Sequence, residues 1–389
     1  MRSITKVLEV INEVFEGVLG KTPSYNTIGN WIKKYGLDVY KTSAESLKNQ
    51  DYAAVVDESM MIGSQKLLLT LAVPSKHQQR PLRHDDVTVI DMSVLPSWKG
   101  EDVKNRIEKA ANKTGHFPKY VISDNAQNII KGTRLLGVSR HCDISHTLGV
   151  CLERTYNKAD DFKEYLKSMT AVKFKYNMTK VAYLLPPTQR TVARFINLSC
   201  WVKWSSKMLN IYNHLSSEEK EVFSFIPHNA SLIEELTEIM TCVGNIEEIF
   251  KHQGLSKKTI NQCQLQVRRI LMSGNERMIK FACSIRSFLD EEDKILESDD
   301  DVRNNSSDII ESIFGSYKAR KSPNKLHGVT PFVLFIPAHT QLLKMEAKKN
   351  YHFKERLERV RLKEIEHWKS ENLSPNLVVK RIALLKKAG

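Results

Sequence analysis

The chain has no C-x-x-C pair. Its six cysteines (Cys142, Cys151, Cys200, Cys242, Cys263 and Cys283) are scattered over 389 residues. Zinc-ribbon spacing is therefore absent, and a disulfide framework does not suit a chain of this length. Reduced thiols in a cytosolic protein are expected instead. No apolar run approaches the roughly 18–20 residues that cross a bilayer. The start, Met1-Arg2-Ser3-Ile4-Thr5-Lys6, has no signal-peptide core. No internal repeat or low-complexity tract is visible. Ser59 and Cys142 have no partnered base, which argues against nucleophilic catalysis by a side chain. A membrane partner and a small-molecule cofactor are not expected.

What is present is a foldable and basic composition. Hydrophobic residues make up 41%, and 59 Lys and Arg against 45 Asp and Glu leave a formal charge of +14. Such a surplus favours a polyanion, because each neutralised phosphate releases condensed counterions. At roughly 100–200 residues per domain, the length suggests two to three domains.

Residues 4–18 read as an amphipathic helix, with Ile4, Val7, Leu8, Ile11, Val14, Phe15 and Val18 at three- and four-residue steps. After the turn Gly20-Lys21-Thr22-Pro23, a second helix is expected from about Ser24 to Tyr35, with Gly36 as its stop. The pair fits a helix-turn-helix over 1–48 whose second helix presents Asn26, Asn30, Lys33 and Lys34 to a major groove. A plain helical hairpin fits the same residues. Residues 39–50 read as a linker.

The pattern then changes to strands. Tyr52–Val56, Lys66–Val73 and Asp86–Leu95 are three of them; a helix over Glu101–Lys113, a strand at Tyr120–Ser123, a helix over Ala126–Leu136 and a short strand near Ser139–Cys142 follow. Three strands, helix, strand, helix, strand implies an α/β five-stranded mixed sheet with flanking helices, whose first part spans 49–154. Residues 155–302 read as an all-helical insertion. A helix around Glu311 lies in 303–340. The segment 341–389 reads as a basic helical tail, with 13 Lys and Arg against 6 Glu between Gln341 and Lys387.

Asp57 ends the first strand and Asp124 the fourth, and this order makes those strands neighbours at one sheet edge. Two carboxylates that close repel unless a cation neutralises them. Magnesium suits such a place, because it takes oxygen ligands, keeps waters and binds beside phosphates. Glu311 is the expected third ligand. Rival roles exist: Asp124-Asn125 before a helix suits capping, and Asp308 with Glu311 suits a capping box.

These residues resemble a DDE-type DNA transposase of a bacterial insertion sequence. The match lies in Val-Val-Asp57-Glu-Ser, in Val-Ile-Ser-Asp124-Asn, and in Ser-Asp-Ile-Ile-Glu311-Ser-Ile-Phe-Gly-Ser-Tyr-Lys318. Asp143-Ile144-Ser145-His146 is similar to the [C/D]-x-x-H element of several transposase superfamilies, including the hAT and Mutator-like groups. The resemblance spans roughly residues 24–340 through short motifs. Asp124 and Glu311 stand 187 positions apart, unlike the short interval of retroviral-integrase-like enzymes. One bacterial subgroup has a Tyr-x2-Arg-x3-Glu-x6-Lys signature. Here Glu311-x6-Lys318 is kept, but Asn304 and Ser307 replace its Tyr and Arg.

The resemblance implies an RNase H-like catalytic domain with an all-helical insertion. It implies two Mg²⁺ or Mn²⁺ ions held by Asp57, Asp124 and Glu311, with His146 at the scissile phosphate or leaving oxygen and Lys318 on a DNA phosphate. Trp201 and Trp204 are expected either to stack on an unpaired base or to sit in a core. The partners implied are double-stranded DNA, as terminal repeats and target, and further copies of the chain in a homodimer or larger synaptic assembly. A cytoplasmic, nucleoid-associated location follows. Alternatives are an RNase H-like nuclease or resolvase without strand transfer, and an inactive DNA-binding derivative. The short N-terminal region raises the expectation of a missing upstream portion.

Overall fold

The computed structural model describes residues 2–59, 61–188, 195, 198–344 and 352–388. The chain divides into two compact units. One comprises Met1–Ser75, Leu82–His141 and Ser307–Gly389; the other comprises Lys76–Pro81 and Cys142–Ser306.

In chain order the first unit begins with α1 (Arg2–Val14), α2 (Tyr25–Thr42), β1 (Tyr52–Glu58), β2 (Lys66–Pro74), β3 (Thr88–Leu95), α3 (Gly100–Thr114), β4 (Val121–Ser123), α4 (Gln127–Leu136) and β5 (Arg140–Cys142). The helical unit supplies α5 (Ile144–Tyr156), α6 (Asp160–Tyr176), α7 (Leu198–Ile211), α8 (Ser217–Val222), α9 (Phe225–His228), α10 (Ala230–Gln253), α11 (Lys257–Ser273) and α12 (Glu276–Ile295). The chain then returns to the first unit with α13 (Asp308–Arg320), α14 (Phe335–Leu343), α15 (Phe353–Glu358), α16 (Leu362–Asn372) and α17 (Leu377–Ala388).

The fold is mixed α/β, with a five-stranded sheet in the order β3-β2-β1-β4-β5. β1 pairs antiparallel with β2 and parallel with β4, and β2 pairs antiparallel with β3. Tyr52 to Val56 are all buried, because the central strand is covered on both faces and so reads as a continuous apolar run. Ala53, Val55, Leu69 and Ile122 share a core with Ile310, Ile313, Phe314 and Tyr317 of α13. Ala54, Val56, Leu68 and Val121 face the other way, into a core with Val103, Ile107 and Ile129 of α3 and α4. Alternation along β1 therefore turns odd-numbered residues toward α13 and even-numbered ones toward α3 and α4.

Helix α2 does not stop at Gly36. It runs through that residue to Thr42, and a 3₁₀ turn over Ser43–Leu47 occupies the stretch expected to be a linker. Gly36 serves packing rather than termination: a Cβ there would lie 1.9 Å from the backbone oxygen of Leu334. The second half of α2 is buried, and Tyr40 donates from its hydroxyl to Asp91 at 3.1 Å. Asp91 is itself buried and takes a bidentate pair from Arg106, both bonds at 2.7 Å. α1 ends at Val14, earlier than expected, and has no buried residue.

The helical unit has one continuous core, in which Trp201, Phe223, Phe250 and Phe281 are buried together. Among the described residues, no helix is long and apolar enough to cross a membrane.

Candidate acidic site

Strand pairing places the two aspartates. Ala54 stands opposite Val121 and Val55 opposite Ile122 in the parallel β1–β4 pair. Asp57 lies two residues beyond Val55, and Asp124 two beyond Ile122, so both reach the same level as the strands end. Asp57 has an odd number and turns toward α13. Tyr120 and Ile122 share that face, and continued alternation carries Asp124 to it as well. Both aspartates are half-buried.

Helix α13 brings the third acid. Its apolar side (Ile309, Ile310, Ile313, Phe314, Tyr317) is buried against the sheet, while Glu311 is exposed. Seven residues on, about two helical turns, Lys318 lies on nearly the same side and is half-buried, with its ammonium 5.5 Å from the Phe314 ring centre. Burial lowers the Lys318 pKa from its ordinary value, and the negative charges of Asp57 and Glu311 oppose that fall. One ammonium thus feels both a carboxylate of β1 and one that follows it by 254 positions.

The rival capping roles resolve differently for the two acids. Asp124 does cap: its Oδ1 accepts from the Ala126 backbone N–H at 3.0 Å, which occupies one of its two oxygens. Glu311 does not complete a capping box. The N-cap of α13 is Ser307, without a side-chain cap bond, so the box position falls on Ile310 rather than Glu311.

Several neighbours escaped the sequence reading. Glu58, adjacent to Asp57, turns to the opposite face and is taken by Lys66 at 2.5 Å and by Asn128 of α4 at 3.2 Å. Arg140 donates to Ser123 Oγ at 3.2 Å and to the Asp124 carbonyl at 3.0 Å, which ties the end of β4 to β5. Alternation in β1 was a signal that would have separated Asp57 from Glu58. No comparable signal pointed to Arg140.

The donor set suits a hard divalent cation such as Mg²⁺ or Mn²⁺, since all three candidate ligands are carboxylates. Among the described residues, no three acidic, histidine or cysteine side chains close on a single point. Magnesium does not require such a cage, because it is usually held by one or two carboxylates and keeps several waters.

The remaining candidates lie in other settings. Asp143 is buried and caps α5, its Oδ1 accepting the His146 backbone N–H at 2.7 Å. The Asp of the Asp-x-x-His element thus fixes the helix start that carries His146, itself half-buried. Trp201 is buried in the helical core at 2% exposure. Trp204 is partly buried, and its indole N–H donates to the Leu184 carbonyl at 2.9 Å. Asn26 is exposed, and Asn30, Lys33 and Lys34 are half-exposed, on one side of the first half of α2.

No protein-family model matches this chain, and no curated protein matches it.

Proposed function

We propose that the protein is a transposase that cuts and rejoins DNA at the ends of a mobile element, using an RNase H-like acidic site and an N-terminal helix-turn-helix. The observation that supports it is the packing of α13 on the β1 face of the sheet through Ile310, Ile313 and Phe314, with the Lys318 ammonium within the influence of both Asp57 and Glu311. This packing joins β1 to a helix that follows the whole helical unit. The β1–β4 register adds Asp124 at the same level.

In this reading Asp57, Asp124 and Glu311 would hold two Mg²⁺ or Mn²⁺ ions. When bound, such ions would activate an attacking water and stabilise the leaving oxygen of a phosphodiester. The chain's own residues do the rest. Asp124 is oriented through its bond to the Ala126 N–H. Lys318 neutralises part of the acidic charge and offers an ammonium to a DNA phosphate. The resemblance alone assigns His146 to the scissile phosphate or leaving oxygen. Asn26, Asn30, Lys33 and Lys34 would read end DNA from α2, and the basic C-terminal helices would hold its backbone. Hydrolysis frees a 3′-hydroxyl, which then attacks a target phosphodiester in the same in-line manner, forming a new P–O bond while the target strand's own 3′-oxygen leaves as a hydroxyl. Two ends must be joined, so two or more copies act together, in the cytoplasm or on the nucleoid.

The test uses a plasmid that carries the coding region with its natural flanks, incubated with the full chain and Mg²⁺ or Mn²⁺. Wild-type protein is expected to nick the flanks and yield joined products. Asp57→Asn should lower cleavage by at least about a thousandfold, roughly 4 kcal/mol of barrier, while binding to the same DNA persists. Undiminished nicking by Asp57→Asn would end the proposal. Nicks without joined products would favour a nuclease or resolvase. Binding without any cleavage, and without Mn²⁺ uptake by calorimetry, would favour an inactive derivative.

A further inference from the structure

Between Glu164 and Glu218 the chain contains no acidic residue, yet it carries eight cations: Lys167, Lys173, Lys175, Lys180, Arg190, Arg194, Lys203 and Lys207. Shorter acid-free runs occur elsewhere, as over residues 312–345 with five cations, but this is the longest and carries the most. It includes the C-terminal half of α6, where the exposed side departs from ordinary surface chemistry. Phe174 is 84% exposed, and Met178, one turn on and just past the helix, is 93% exposed. Tyr183 follows at 76%, with its hydroxyl donating to Glu219 at 2.7 Å and its ring left outward. Lys167 precedes Phe174 by two turns and is exposed, as are Lys175 and Lys180.

This tip is braced. Lys173 donates to the Pro186 carbonyl at 2.8 Å and to Thr188 Oγ1 at 2.9 Å, which straps the following segment to the helix. Val181 is buried beneath it. The large apolar side chains are therefore held outward on a fixed support. An exposed phenylalanine and methionine within a field of lysines match how apolar wedges enter a distorted base step while cations grip the flanking phosphates. The surplus of cations disfavours a basic partner, and the charge complements a nucleic-acid backbone.

We propose that the end of α6 is a DNA-bending wedge, in which Phe174 and Met178 insert at a deformable step of duplex DNA while Lys167, Lys175 and Lys180 contact its phosphates. This rests on the reading that DNA is the partner, but not on the acidic site. Its test accordingly uses the full chain with Asp57→Asn, which keeps the DNA intact.

Two duplexes labelled at both ends with a fluorescence donor and acceptor serve as probes, one with a central TA step and one with an A-tract throughout. The flexible step is expected to bend more readily. The parent protein should shorten the end-to-end distance of the TA duplex and bind it more tightly. Phe174→Ala with Met178→Ala should abolish the shortening and lower affinity for the TA duplex about tenfold, to that of the A-tract. Lys167→Gln, Lys175→Gln and Lys180→Gln together should reduce the slope of log affinity against log salt by about two to three. All five side chains are exposed, so circular dichroism should show the fold retained. Unchanged bending in the alanine pair would overturn the proposal, as would equal losses on both duplexes. Tip-dependent binding to anionic lipid vesicles rather than to duplex would do so as well. Absence of cleavage by the wild-type chain would instead count against the acidic site alone.

Discussion

At Lys318, burial and the charges of Asp57 and Glu311 act in opposite directions, and burial prevails. The lysine's folded pKa lies below the ordinary 10.5 because burial disfavours the ammonium. Between the lowered value and 10.5 the unfolded chain binds more protons, so stability rises with pH across that window. Lys318→Met should flatten this rise in urea unfolding measured as a function of pH, and should reduce the salt slope of DNA binding by about one. Asp91 makes the opposite kind of case. It is 1% exposed and paired with Arg106, and it bears no relation to the proposed chemistry. Asp91→Ala would strand the Arg106 guanidinium and should cost about 3–5 kcal/mol in chemical unfolding. Both aspartates, Asp57 and Asp91, sit in strands, and both looked alike as letters. Burial between Arg106 and Lys113 marks the structural one, and a half-buried place within the influence of Lys318 marks the other.

At the scale of elements, α2 shows what propensity alone misjudges. Glycine within a helix normally costs about 1 kcal/mol relative to alanine, so Gly36→Ala would be expected to stabilise an isolated helix. Here the Leu334 backbone passes where the methyl would stand. Gly36→Ala should therefore destabilise the protein by about 1–3 kcal/mol, read as a lower urea midpoint with unchanged slope. The same contact explains why the helix continues to Thr42: its second half is tied into the unit by Tyr35, Leu37, Val39 and Tyr40. Helix α13 behaves differently. Its periodicity was plain in the sequence, and its isoleucines do face the sheet. Its start at Asp308 after Ser307, rather than one residue later, removed Glu311 from the capping position.

For the whole molecule, charge is the property that composition predicts most directly. Of the net +14, the stretch Gln341–Lys387 supplies a surplus of 7, and the acid-free run from residue 165 to 217 carries eight cations. Replacing Lys380, Arg381, Lys386 and Lys387 of α17 by glutamine should weaken binding to DNA of any sequence. The salt slope should fall by about three to four, measured by fluorescence anisotropy, with nicking position unchanged. A sequence-selective loss would instead place base contacts in α17.

The order of the strands along the chain, the helical character of residues 155–302 and the basic character of the chain were written in hydrophobic period and composition, because these depend on near neighbours and on sums; the earlier start of the helical unit, with α5 at Ile144, was not. The strand-end positions of Asp57 and Asp124 followed from the same period. The nearness of Lys318 to the charges of Asp57 and Glu311 was decided only when α13 packed onto the sheet, because no local pattern specifies which face of a sheet a distant helix will cover. The burial of Trp201 and the crossing at Gly36 were likewise settled by tertiary packing, which fills space with whichever side chain fits and removes one where two backbones meet.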